Sequence, residues 1–150
     1  EYAAMRRAEG ARLCQDIVQR AGRIGQLVDH VEERSPQTVE EYRKRISARM
    51  QELLGDTEIA EQRILAEAAL FADKVSVTEE IVRLRSHLAQ LNTMLSADTA
   101  VGRKLDFLVQ EMNREANTIG SKANDYELAQ TVVEIKAEIE KIREQIQNIE

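Results

Sequence analysis

Tryptophan is absent from this 150-residue chain, proline and cysteine occur once each, glycine six times, and only five residues are aromatic. So little Gly and Pro leaves no material for the frequent turns of a β-sandwich or barrel, and β-branched residues form no alternating runs. All-β and collagen-like folds are excluded. The lone Cys14 cannot close an internal disulfide, and with two histidines a Cys/His zinc site is excluded as well. A reducing, cytoplasmic setting fits this usage. No stretch approaches the roughly 18 apolar residues of a membrane span, which predicts no membrane partner. Glu1 and Tyr2 already lie inside a helical pattern, with no basic region and apolar run before them. The expectation is a fragment without a signal peptide.

The chain is 43% hydrophobic and 32% charged. That apolar fraction is too high for disorder, and the composition is that of an all-α protein. Its net charge of -6 argues against gross attraction to nucleic acid or anionic membrane, so any phosphate-binding surface must be a local arrangement.

Apolar residues recur at helical spacing throughout. One amphipathic helix is predicted from Tyr2 to Arg34 through Leu13, Ile17, Ile24 and Val28, with Gly10, Gly22 and Gly25 marking tight packing or a bend. Ser35 as N-cap and Pro36 at the first helical position then start a second, which Gly55 ends. A third follows Asp56. Ser76 and Glu79 form a capping box for a fourth, with a seam of Val77, Ile81, Leu84, Leu88, Leu91 and Leu95. A fifth opens over 98–101 and loosens at Gly120. Asn124 and Glu127 suggest a capping box for the last, whose heptad stripe from Leu128 to Ile149 asks for a partner. The expected architecture is helical hairpins with long amphipathic helices and a heptad-patterned C-terminal helix: 1–55 as a two-helix hairpin and 56–150 as a C-terminal helical domain.

Phosphate loops, Ser-His-Asp signatures and H-E-x-x-H are missing. What stands out is the run from Gly102 to Ala123. Leu105, Leu108, Val109, Met112, Ala116 and Ile119 form its buried face, Asp106, Gln110, Asn113 and Asn117 line one flank, and Lys104, Glu111, Glu115 and Lys122 the other. Asn, Thr and Gly are poor helix formers, so specific polar contacts are expected there, either to ligand or to neighbouring helices. In the stretch from Thr78 to Leu88, Glu80, Arg83 and His87 follow at i+3 and i+4 beside the leucine seam. His87 can serve as metal ligand or general acid/base with Glu80 fixing its tautomer, or as an ordinary hydrogen-bonded histidine. Glu67, Asp73, Glu79 and Glu80 can join Asp106, Glu111 or Glu115 in holding a hard cation, since Mg²⁺ or Mn²⁺ takes carboxylate oxygens. Arg6, Arg7, Arg12, Arg20 and Arg23 make either a phosphate-contacting strip or salt bridges.

The stretches from Ala72 to Leu88, from Gly102 to Ala123 and from Val133 to Glu150, with Met5 to Gly10 and Val31 to Pro36 upstream, closely resemble the YicC/YloC family of bacterial proteins, over nearly the whole chain. That family's N-terminal portion is missing. The resemblance implies a divalent-metal-dependent endoribonuclease, a hydrolase acting on RNA in the cytoplasm and assembled as a ring-like homo-oligomer; the fragment alone is not expected to carry the whole activity. Chemistry then suggests roles for the motif positions: Glu80, Asp106, Glu111 and Glu115 hold a Mg²⁺ or Mn²⁺ ion, His87 transfers protons with Glu80 and Glu111 as catalytic carboxylates, and Arg83, Arg103, Arg114 and Lys122 contact phosphates. The rival is a non-catalytic helical oligomerisation and interaction module whose polar stripes are buried networks.

Overall fold

The computed structural model describes residues 2–55, 57–97 and 102–149, and among them it is all-α: α1 (Tyr2–Leu54), α2 (Glu58–Val75), α3 (Thr78–Ser96), α4 (Gly102–Lys122) and α5 (Tyr126–Ile149). The helix expected to open over 98–101 has its start outside the described residues. Along α1, Leu13, Ile17, Ala21, Ile24, Leu27, Val28 and Val31 are buried, a stripe at steps of three and four. It lies against α5, which runs antiparallel to it: Asp16 meets Gln145, Arg20 meets Glu138, and Arg34 meets Asp125. α5 packs on α4, α4 on α3, and α3 back on α1, closing a ring of four helices around one hydrophobic cluster. α2 has its sustained packing on α1.

Three expectations need correction. The two-helix hairpin over 1–55 is instead one continuous helix with Pro36 inside it. Proline removes an i to i−4 bond and crowds the carbonyl four residues back, so local rules favour a break. Tertiary contacts override them. Val31 and Thr38 are buried on either side of the proline, Ser35 Oγ donates to the Val31 carbonyl at 2.7 Å, Thr38 Oγ1 donates to the Ser35 carbonyl at 2.8 Å, and Arg34 is clamped by Asp125 and Glu41. The cluster also draws on residues from both sides of Gly55.

The caps are shifted by one residue. α3 starts after Val77, with no side-chain cap bond, rather than after Ser76. Asp125, not Asn124, caps α5, accepting from the Leu128 N–H at 3.1 Å. At the other junction Gly55 adopts φ +72°, the left-handed conformation that ends α1, and Thr57 caps α2 by accepting from the Ala60 N–H.

The third correction concerns glycine and the heptad stripe. Gly10, Gly22 and Gly25 face open space, so no close approach requires them. Gly120 is the one in close contact: a Cβ there would stand 3.1 Å from Val132 Cγ1, so it permits α4 and α5 to approach rather than loosening a helix end. Leu128, Val132, Ile135, Ile139, Ile142 and Ile146 are all buried within the chain, covered by α1 and α4. That stripe therefore gives no argument for self-association.

Candidate active site

Near the start of α3 and the end of α4 the bundle buries two carboxylates. Glu80 is 4% exposed and Glu115 5%. Burying an isolated carboxylate is prohibitively costly, so each needs a cation. The antiparallel register of α3 and α4 supplies them. Lys122 Nζ donates to Glu80 Oε1 at 2.8 Å and to the Ser76 carbonyl at 2.9 Å, tying the end of α4 to the turn before α3. Arg83 Nε donates to Glu115 Oε1 at 3.0 Å, while its other nitrogens lie 3.7 Å from Glu80 and 3.6 Å from Glu79. Arg83 thus sits between the two buried acids.

Local sequence explains the arrangement. Glu80 and Arg83 are one turn apart on α3, beside the buried Ile81 and Leu84, and Glu115 and Lys122 are two turns apart on α4. Burial works against the charged form of Glu80 and is the largest single influence on it. The bond from Lys122, the bond from its own backbone N–H, and the charges of Lys122 and Arg83 together outweigh that, holding the carboxyl below its ordinary value. Glu115 and Glu80 hold the Arg83 guanidinium firmly protonated.

One oxygen of each acid remains without a hydrogen-bond partner, Glu80 Oε2 and Glu115 Oε2, and so does the buried Nδ1 of His87. Buried polar atoms are normally satisfied, so two unpartnered carboxylate oxygens and one unpartnered imidazole nitrogen on a single helix pair are unusual. Continuing the register that pairs Arg83 with Glu115 carries His87 to the turn of α4 that holds Glu111, which is half-buried.

The other expected residues are not all brought here. Asp106 lies nine residues before Glu115, about half a rotation round α4, where it accepts from Gln110 Nε2 at 3.3 Å. It cannot share a ligand with Glu115 from that face. Glu67 pairs with Arg63 instead, and Asp73 and Glu79 are exposed. Among the described residues no group of three or more His, Cys, Asp and Glu side chains is arranged to hold a metal ion. Arg83 and Lys122 hold carboxylates, whereas Arg103 and Arg114 are exposed and have no ion-pair partner among the described residues. On α1, Arg12, Arg20 and Arg23 form salt bridges to Glu9, Asp16, Glu138 and Glu134, so those three are structural; Arg7 is exposed without an ion pair among the described residues, and the Arg6 side chain lies outside them.

Two charged constellations escape sequence reasoning. Arg34 bridges Asp125, Glu41 and Glu127. Arg85 bridges Asp29 and Glu32. Both join residues far apart in the chain and carry no local signal. The exposed Phe107 did carry one, because it stands a turn beyond Arg103 off the apolar seam.

A family model described as "Endoribonuclease YicC-like, C-terminal" matches residues 31–150. The chain is 50% identical over 147 residues, 97% of its length, to a protein of Clostridioides difficile named "Probable endoribonuclease YicC", and 38% identical over its whole length to one of the same name from Haemophilus influenzae. It covers 50% and 52% of those proteins, so it spans about half the length of the curated relatives it matches. The helical bundle that buries Glu80 and Glu115 between Arg83 and Lys122 therefore belongs to the YicC-like endoribonuclease family, to its C-terminal part.

Proposed function

We propose that this chain is the helical C-terminal half of a cytoplasmic endoribonuclease that hydrolyses RNA with a divalent cation, Mg²⁺ or Mn²⁺, and works as a homo-oligomer. The relatives' printed names support the reaction class. The observation that carries the site is the pair of buried acids with one unpartnered oxygen each, Glu80 Oε2 and Glu115 Oε2. Hard cations take carboxylate oxygens, and Mg²⁺ commonly uses only one or two protein carboxylates, completing its shell with water and substrate phosphate. Two such oxygens suit that pattern, with Glu111 one turn away on α4; Asp106 does not. When bound, the ion would lower the charge repulsion at a phosphodiester and favour ionised water.

The chain's own residues supply the rest. Lys122 and Arg83 keep Glu80 and Glu115 fixed in place. His87, of the side-chain type suited to proton transfer near neutral pH, is the proton carrier. Arg103 and Arg114, free of carboxylates among the described residues, are the phosphate contacts.

A second reading, a non-catalytic interaction module, is favoured by the salt bridges themselves: Arg83 and Lys122 already neutralise both acids, as purely structural pairs do. A cleavage assay on the full-length protein that contains this chain, with and without chelator, separates the two. Glu115→Gln keeps an oxygen for Arg83 and opens no cavity. It should retain folding and RNA affinity while losing at least about 100-fold in cleavage. Cleavage at the parent rate would return Glu115 to architecture, and a parent protein that cleaves nothing under either condition would favour the module.

A further inference from the structure

Running along the solvent face of α4 is a stripe that the buried acids do not use. Arg103, Phe107, Gln110, Arg114, Asn117 and Ser121 recur at steps of three and four, so they stand within about 40° of one line down the helix. All six are exposed. Phe107 is 60% exposed, an aromatic ring left in water while every other large apolar side chain of α4 is buried. Arg103 lies one turn before it and Arg114 two turns after, about 16 Å apart along the axis, and among the described residues neither has a carboxylate within salt-bridge distance. Arg12, Arg20, Arg23, Arg34, Arg43 and Arg85 are all paired, and although Arg7, Arg45 and Arg49 on α1 are also without an ion pair among the described residues, Arg103 and Arg114 are the two that flank an exposed aromatic ring on one helix face.

From this juxtaposition we propose that the exposed stripe of α4 is a track for single-stranded RNA, with a base stacked on Phe107 and the flanking phosphates held by Arg103 and Arg114. Single-strand binders combine cations that follow the backbone with aromatic rings on which any base can stack. Bases in a duplex present no free face to a ring, so Phe107 selects unpaired RNA. Gln110 and Asn117 add neutral donors and acceptors between the cations. A contact with a second copy of the chain fits less well, because Phe107 stands alone among polar neighbours, whereas self-association buries a contiguous apolar patch. The stripe borders Glu111 and the face that leads to Glu115, so a strand lying on it passes the acids described above.

The inference rests on RNA being the substrate, and the test keeps the two apart. The full-length protein that contains this chain is titrated against a fluorescein-labelled oligouridine of about twelve nucleotides and against a duplex of equal length, at several salt concentrations, reading anisotropy. Phe107→Leu, which keeps bulk and loses the ring, should weaken single-strand binding by about 5- to 100-fold with an unchanged salt slope, and leave duplex binding unchanged. Phe107→Tyr should bind as the parent does. Arg114→Gln should weaken both probes and reduce the salt slope by about one. Parent-like single-strand affinity in Phe107→Leu overturns the track while leaving the nuclease reading intact. A change in sedimentation behaviour in Phe107→Leu without a change in RNA affinity would identify the stripe as a self-interface and overturn it too. A parent protein that cleaves RNA nowhere and binds neither probe would sink the nuclease reading and the track together.

Discussion

Lys122 determines whether Glu80 can remain charged inside the bundle. Removing one partner of a buried ion pair leaves an uncompensated charge, which typically costs about 3 to 5 kcal/mol. In the parent, Glu80 titrates below the ordinary glutamate value of 4.5, so its pairing contributes stability at neutral pH that is lost as pH falls through that lowered value. Asp125, bonded by Arg34, and Asp16, bonded by Arg20, shift in the same direction and add to the acid loss. In Lys122→Met the strongest opposing influence on Glu80 disappears and burial prevails, raising its pKa. A raised carboxyl has the opposite linkage: the variant's deficit is largest at high pH and shrinks as Glu80 protonates. Melting temperatures of parent and variant should therefore differ most at pH 7 and draw together as pH falls, meeting only below the parent's lowered Glu80 value, under 4.5. A gap independent of pH would show that Lys122 acts through packing or its bond to the Ser76 carbonyl.

Helix seams were legible before any contact was known, because period and burial are the same information: Ile81, Leu84, Leu88 and Leu91 lie in the core as their spacing requires. Element ends were less so. Ser35-Pro36 reads as a start, yet α1 runs through it, since the buried Val31 and Thr38 and the Arg34 clamp hold helical geometry that local propensity opposes. The candidate site divides in the same way. Glu80, Arg83, Glu115 and Lys122 each stood out by spacing, but Lys122 with Glu80 and Arg83 with Glu115 depend on the register between α3 and α4, which only tertiary packing sets. Gly120 likewise looked like a weak point and is a contact. Alanine there gains about 1 kcal/mol of helix propensity but brings a methyl to 3.1 Å from Val132 Cγ1. Gly120→Ala should thus fail to stabilise the protein, whereas in a Val132→Ala background it should, with a coupling of about 0.5 to 2 kcal/mol by chemical denaturation. Additive effects would mean that α4 and α5 do not approach closely there.

At the scale of the molecule, apolar burial is unevenly shared. α4 carries the six apolar residues Leu105, Leu108, Val109, Met112, Ala116 and Ile119 in the core, and α1 up to Val31 contributes Ile17, Ile24, Val28 and Val31. α2 buries only Ala60 and Ile64, neither of them part of the shared cluster, and leaves Ile59, Leu65 and Leu70 in water. Its sustained packing is with α1, where Tyr42 and Phe71 stack at 3.9 Å between ring centroids. Local opening free energy follows buried apolar contact, so α2 and the part of α1 beyond Pro36 form the low-stability end of the protein, and the four-helix ring that holds Glu80 and Glu115 forms the high-stability end. Native-state hydrogen exchange should show amides of Glu58–Val75 opening at clearly lower free energy than those of Leu105–Ile119, with Phe71→Ala widening the difference and leaving α4 protection unchanged. Equal protection in the two helices would mean that α2 opens only with the whole molecule, and that the stacked pair and the small Ala60 and Ile64 contact couple it to the ring far more tightly than their burial implies.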